Sequence, residues 1–291
     1  EIRHMAKEQK TMMETLQGEV RASWNKASSR LAAVLAVLIM VGLPLVFQDY
    51  YFNILQVKYW YYCGVVIAAA VIYVIMAVIF WNRDRKWCDG ALLKEFKSNL
   101  SLKSLTVAEW AMLAFLLTSA ISTLQSEYVY ESFWGNEGRF VGLFMIMLYT
   151  ISFFIIARKL KFKKWYLDVF LGTGMIVCLI GILHYFEFDP IGFKNDLNYL
   201  DYVDFTSTIG NINTYTSYLA LVVGVSTVLF TVEKEAKRKV WYTVCVVISL
   251  FAIITGISDN AYLTLLALLG LLPFVLFNSV KGVRNYVVIL A

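Results

Sequence analysis

Eight apolar blocks, each long enough to cross a bilayer as a helix, constrain this chain more than any other feature. They fall at about 31–48, 59–81, 106–124, 140–157, 165–186, 213–232, 240–257 and 260–278, and a ninth, NYVVILA, begins at 285–291. About 20 helical residues cross the roughly 30 Å of hydrocarbon in a membrane. Helices of soluble proteins carry one apolar stripe, whereas these blocks are apolar on every face. Composition agrees: 59% of the residues are hydrophobic and 16% charged, against roughly 45–50% and 25% in soluble domains. The expectation is an all-α polytopic membrane protein with eight transmembrane helices and a truncated ninth.

The charges between the blocks give an orientation, because loops retained in the cytoplasm collect Lys and Arg. Six basic residues precede the first block, six lie in 82–105, five in RKLKFKK (158–164), four in EKEAKRK (233–239) and two in 279–286. Only Lys58, Arg139 and Lys194 fall in the alternate loops. The N-terminus is therefore expected in the cytoplasm, with extracytoplasmic loops at 49–58, 125–139, 187–212 and 257–260. The net charge of +5 is then the cytoplasmic bias of a membrane protein beside anionic lipid headgroups, not the footprint of a nucleic-acid binder. Residues 1–30 are polar with helical character and read as a cytoplasmic N-terminal segment at the membrane surface, preceding a transmembrane domain over 31–291. The chain starts at Glu1 and stops at Ala291 inside an apolar run, so the expectation is that the natural protein continues.

Cys63, Cys178 and Cys245 fall inside apolar blocks and Cys88 in a cytoplasmic loop. No disulfide or metal-binding framework is indicated by that spacing, and the thiols read as small apolar filler. No inverted repeat of the transporter kind is evident.

Three outer-side stretches have unusual composition: SEYVYESFWGNEGRFVGL (126–143), EFDPIGFKNDLNYLDYVDFTSTIGNINTYTSYL (187–219) and TGISDNAYLTLL (255–266). Arg139 opposes the topology rule, so it calls for an anionic partner. That partner is either a carboxylate such as Glu131, Glu137 or an acid of the 187–204 loop, or a ligand. Gly135, Gly138 and Gly142 around it allow tight turns and close backbone approach. In the second stretch Asn211, Asn213, Thr214, Thr216 and Ser217 crowd the start of a span. One of them suffices to cap a helix, and polar bonding between helices accounts for more. The surplus reads as a wet, neutral surface suited to hydroxyl-rich ligands such as sugars. Ser258-Asp259-Asn260 has the chemistry of a tight turn. His184, alone among aromatics in ILHYFEF, reads as a packed, hydrogen-bonded residue.

In this order and on this side, the three stretches resemble the O-antigen ligase and O-antigen polymerase superfamily of bacterial membrane glycosyltransferases. WGNEGRFVGL (134–143) is similar to a "G…R..GL" start of a span, TIGNINTYTSYLAL (208–221) to a "G-N-x-N" signature, and TGISDNAYLTLLAL (255–268) to a "t.SR" turn. The similarity covers about 126–270. It implies a GT-C-like bundle in the bacterial cytoplasmic (inner) membrane. There a glycan would move from a polyprenyl-diphosphate carrier to a glycan, lipid or protein acceptor on the extracytoplasmic face, without metal or other cofactor. It also implies substrate contacts at Arg139, Asn211, Asn213, Thr214, Asp259 and Asn260, and a catalytic histidine beyond residue 291. The positions where the family carries further arginines fall near Asp204 and on Asp259, which leaves Arg139 as the main outer donor and Lys194 as a second. A transporter or flippase for a lipid-linked substrate, or a non-catalytic membrane scaffold, is the competing class.

Overall fold

The computed structural model describes residues 2–87, 90, 93–94, 102–136, 138–195, 197–277 and 279–290. It is helical almost throughout. Among the described residues, six helices are long and apolar enough to cross a membrane, within Thr11–Leu45, Ile54–Lys86, Val107–Leu124, Trp165–Tyr185, Ile212–Val232 and Ala236–Thr255. The remaining two apolar blocks form shorter helices, Leu143–Lys159 with 17 residues and the apolar run Asp259–Phe274. The chain divides into two compact units, Glu1–Ile39 with Tyr59–Phe162, and Met40–Lys58 with Lys163–Ala291.

The first unit is built on α1 (Ile2–Val37), α3 (Ile54–Trp87) from Tyr59 onward, α4 (Val107–Leu124), the short α5 (Val129–Trp134) and α6 (Leu143–Lys159). The polar N-terminal segment is not set apart from the first span: α1 is one unbroken helix of 36 residues, about 54 Å long at 1.5 Å per residue. Its inward face repeats every third or fourth position, with Val20, Trp24, Ser28, Ala32, Leu35 and Ala36 all buried, the spacing that keeps side chains on one side of a helix. Trp24 meets Tyr73 and Phe80 edge-on at 5.5 and 5.3 Å, and Lys159 lies 5.4 Å over its ring. The start of α4 is fixed by a reciprocal cap between Thr106 and Glu109, which satisfies backbone donors that a helix start leaves open. The same Glu109 accepts a 2.5 Å hydrogen bond from Arg158 Nε, tying the first turn of α4 to the last turn of α6.

The second unit contains α2 (Leu43–Leu45), α7 (Trp165–Tyr185), α8 (Tyr199–Asp204), a hairpin of β1 (Phe205–Thr206) and β2 (Gly210–Asn211), α9 (Ile212–Val232), α10 (Ala236–Thr255), α11 (Asp259–Leu276) and α12 (Val280–Leu290). At its centre α9 packs on α7, α10 and α11, around Leu171, Cys178, Tyr215, Leu219, Tyr242 and Ile253. Successive helices run in opposite directions, so α7 and α10 run parallel and α9 opposes both. At one end Lys164 pairs with Glu233, Tyr242 donates to Asp168 at 2.7 Å, and Arg238 lies 3.9 Å from Asp168. The Lys164 ammonium holds the Glu233 carboxyl down at about 2. At the other end Phe186 stacks on Phe251 and Ser258 bonds to Asn213. The basic turns and the 187–212 loop thus lie at opposite ends of this unit, as the alternating charges require.

Lys58 was expected as a stray base of an outer loop. It instead closes the corner after the first span, where a π-helical turn (Leu38–Gly42) precedes Pro44. Its Nζ donates to the carbonyls of Leu43 (2.8 Å), Pro44 (3.3 Å) and Val46 (3.0 Å), which the end of a helix leaves without amide partners. Lys58→Met is expected to destabilise the protein by about 3 kcal/mol, because carbonyls lose a charged donor that nothing replaces, whereas Lys58→Arg retains most of the stability. Thermal unfolding in detergent checks both.

Candidate functional site

The polar stretch at the start of α9 divides into an inward half and an outward half. In the inward half, Phe205 pairs with Asn211 and Thr206 with Gly210 across a two-rung hairpin. Its residues Thr206, Ser207 and Thr208 are only 6%, 0% and 3% exposed, so the wet surface expected of the Asn and Thr residues at the start of α9 does not extend into the hairpin. Ser207 is held on every polar atom. Its N–H donates to His184 Nδ1 at 3.1 Å, its carbonyl accepts from Tyr51 Oη at 2.8 Å, and its Oγ donates to the Val177 carbonyl at 2.7 Å. These bonds come from the C-terminal half of α7 and from the loop before α3, and they hold Ser207 in the left-handed region at φ 54°, a conformation that side chains other than glycine adopt at a cost.

His184 is buried, with Nε2 3.4 Å from Asp189 Oδ1 and the Phe193 ring 5.7 Å from its own. Asp189 organises the following loop by accepting the backbone N–H groups of Gly192 (2.9 Å) and Lys194 (2.7 Å). Burial works to raise the Asp189 carboxyl, but the backbone donors of Lys194, Phe193 and Gly192 together with His184 outweigh it and hold it below the usual carboxylate range. Lys194 is itself buried and donates to the Tyr202 carbonyl at 2.8 Å, with its ammonium 4.3 Å over the Tyr202 ring. Burial lowers it, and Asp189 offsets only part of that shift. Burial also pushes the Tyr51 phenol up, with the charges of Asp189 and Tyr202 adding to the effect. His184 is thus packed and bonded on both nitrogens, as read from its neighbours.

In the outward half, Asn211 caps α9, its Oδ1 accepting from the N–H groups of Asn213 (3.0 Å) and Thr214 (3.4 Å). Asn213 Oδ1 accepts from Ser258 Oγ at 2.8 Å, joining the start of α9 to the start of α11. Thr216 and Ser217 turn back onto carbonyls of their own helix. Asn211, Asn213 and Thr214 stay exposed, and so do Asp259 and Asn260 in the first turn of α11, where a carboxylate faces the positive end of the helix dipole. The Asn213–Ser258 bond therefore gathers these five candidates, at one end of the second unit.

Arg139 belongs to the first unit. The chain from Gly135 to Gly142 forms a pinched loop: a side chain on Gly135 would press to 2.6 Å against Val141 N, and one on Gly142 would drive into Phe133, Trp134 and Gly135 backbone. Phe140, at φ 54°, stacks on Tyr59 at 4.9 Å and anchors one side of the loop. Arg139 is exposed and lines an open groove of about 650 Å³ with Ser126, Glu131, Ser132 and Asn136. Among the described residues its guanidinium has no hydrogen-bond or carboxylate partner, so Glu131 shares the groove without pairing. Glu137, one of the partners considered for it, and Cys88 lie outside the described residues. Of the three bases in the loops expected to face outward, Lys58 and Lys194 are occupied by carbonyls, and Arg139 is open.

The network of Tyr51, His184, Asp189 and Ser207 was not anticipated as a unit. Its local part was visible in the DPIG turn signal after His184, but its long-range part joins residues up to 156 positions apart. Among the described residues no group of three His, Cys, Asp or Glu side chains is placed to hold a metal ion. Comparison with known proteins finds no matching family model, no matching curated protein and no matching solved structure.

Proposed function

We propose that this protein is a glycosyltransferase of the O-antigen ligase/polymerase type in a bacterial cytoplasmic membrane, crossing it eight times in the described part with its N-terminus inside. It transfers a glycan from a polyprenyl-diphosphate carrier to a glycan, lipid or protein acceptor at the extracytoplasmic face. The observation that carries this reading is Arg139: of the three cations on the side assigned outward, it alone is exposed in a groove with no partner among the described residues. A diphosphate leaving group gathers negative charge as the glycosidic bond breaks, and a fixed cationic donor stabilises that charge. The exposed amides and hydroxyl of Asn211, Asn213 and Thr214, with Asp259 and Asn260 beside them, supply neutral and acidic groups for carbohydrate hydroxyls. A transporter for the same amphiphile calls for helices charged or broken at mid-span, whereas charges avoid the span centres and Pro273 interrupts α11 near its end.

The test is transfer of the carrier-linked glycan to acceptor in membranes bearing Arg139→Ala, followed by the mobility shift of the acceptor on a gel. Loss of one such donor is expected to lower the rate by about 100-fold or more, with normal expression and insertion, and Arg139→Lys is expected to recover part of it. Undiminished transfer by the alanine variant would remove Arg139 from the site and the main support of the reading.

A further inference from the structure

The junction between His184 and Ser207 has no part in the proposed transfer chemistry, and its hydrogen bonding depends on one proton. From its geometry we infer that His184 is a proton-operated latch on the 205–211 hairpin, holding it when neutral and releasing it when protonated. The inference goes beyond the proposed function and stands on the hairpin alone.

The Ser207 backbone nitrogen always carries a hydrogen, and it lies 3.1 Å from His184 Nδ1. Nδ1 must therefore present a lone pair, which leaves the ring hydrogen on Nε2, facing Asp189 Oδ1 at 3.4 Å. A second proton can only go to Nδ1. It would set two donors head to head and abolish the bond to Ser207. The imidazolium itself has a settled place. Asp189 accepts from one side, and Tyr51 Oη, 3.4 Å from Nδ1, can accept from the other while its own hydrogen stays on the Ser207 carbonyl. Burial of the ring is the main opposition to the added charge, Asp189 favours it, and Lys194 from the same loop opposes it further. Tyr202 from α8 and Tyr215 from α9 face the cluster through Tyr51. What protonation leaves without a partner is the Ser207 N–H.

The hairpin is built to respond. Each strand has two residues, and Ser207 is held at a left-handed φ by the bonds around it. The strand β2 ends on Asn211, the cap of α9, next to Asn213 and its bond to Ser258. Release of Ser207 thus reaches the exposed amides at the start of α9, and acid on that face of the protein loosens them.

Hydrogen exchange of the full chain in lipid nanodiscs, read by mass spectrometry and corrected for the intrinsic effect of pH, tests the latch. Protection of the 205–211 amides is expected to fall about threefold or more between about pH 7.5 and about pH 4.5, while the α9 core at 219–229 stays protected. His184→Asn places an amide oxygen near the position of Nδ1 and does not titrate, so it should hold the hairpin equally at both values. Equal protection of the native hairpin at the two pH values overturns the latch. So does an unchanged fall in His184→Asn, or a fall shared by 219–229.

Discussion

Gly142→Ala is expected to force open the loop that carries Arg139 and to destabilise the protein by about 3 kcal/mol, the upper range for overpacking a close contact. The added methyl would meet backbone atoms on three sides, those of Gly135, Phe133 and Trp134, with the Trp134 carbonyl carbon at 2.6 Å. Backbone in contact with backbone cannot rotate out of the way as a side-chain tip can. Gly135→Ala should act similarly, since its methyl would reach Val141 N at 2.6 Å and its φ of 87° is also unfavourable for alanine. Gly138 is the control. It has φ 86° but nothing within 4 Å, so Gly138→Ala carries only the conformational term of about 1 kcal/mol. Thermal unfolding of the three variants in detergent should rank them with Gly138→Ala clearly the mildest, and glycan transfer by Gly142→Ala should fall as it does for Arg139→Ala. If Gly142→Ala and Gly138→Ala unfold alike, the pinch does not hold the loop.

The membrane character of the fold was legible because apolarity in blocks of this length has few other physical outcomes. The helix limits were less so, for a reason visible in α3. Hydropathy confines the block to 59–81, yet the helix runs from Ile54 to Trp87, because its backbone bonds continue where side chains become polar, and Arg85 and Lys86 suit the negative end of its dipole. The same effect joins the polar N-terminal segment to the first span in α1. The 187–212 region, read only as a loop, folds into α8 and the hairpin, since short elements held by tertiary bonds leave little periodicity to detect.

The candidate site was legible where chemistry is local. Asn211 acts as the cap its position suggests, and the three glycines around Arg139 mark a tight turn. What one sequence withholds is pairing at a distance. Asn213 and Ser258 are 45 positions apart, and nothing in either neighbourhood names the other. Burial of Thr206, Ser207 and Thr208 was hidden for a related reason: hydroxyls suit a wet surface and a fully bonded interior equally well, and only the positions of Tyr51, His184 and Val177 decide between them.

Gly181→Ala is expected to have an effect as large as Gly142→Ala, through the centre of the second unit. The side chain of Tyr215 reaches from α9 to lie directly on Gly181 of α7, and an added methyl would fall within its phenol, 2.5 Å from Cζ. Tyr215 is 1% exposed, so it has no free space to retreat into, and α7 and α9 must separate instead, at about 3 kcal/mol. The consequence would not stay local. Gly181 lies one turn from Val177 and nearly one turn from His184, the two α7 residues that hold Ser207, so displacement of α7 also loosens the hairpin. The Tyr215 hydroxyl, meanwhile, is buried without a hydrogen-bond partner among the described residues. Tyr215→Phe is therefore expected to be neutral or stabilising by about 1 kcal/mol, as removing an unsatisfied buried polar group should be. Combined with Gly181→Ala, it should recover only about 1 kcal/mol, because the ring carbon still blocks the methyl. Unfolding of the two single variants and the double variant in one detergent measures all three terms. Native-like stability of Gly181→Ala would mean that α7 and α9 do not approach closely at this point, and that the anchor of Ser207 does not depend on the glycine.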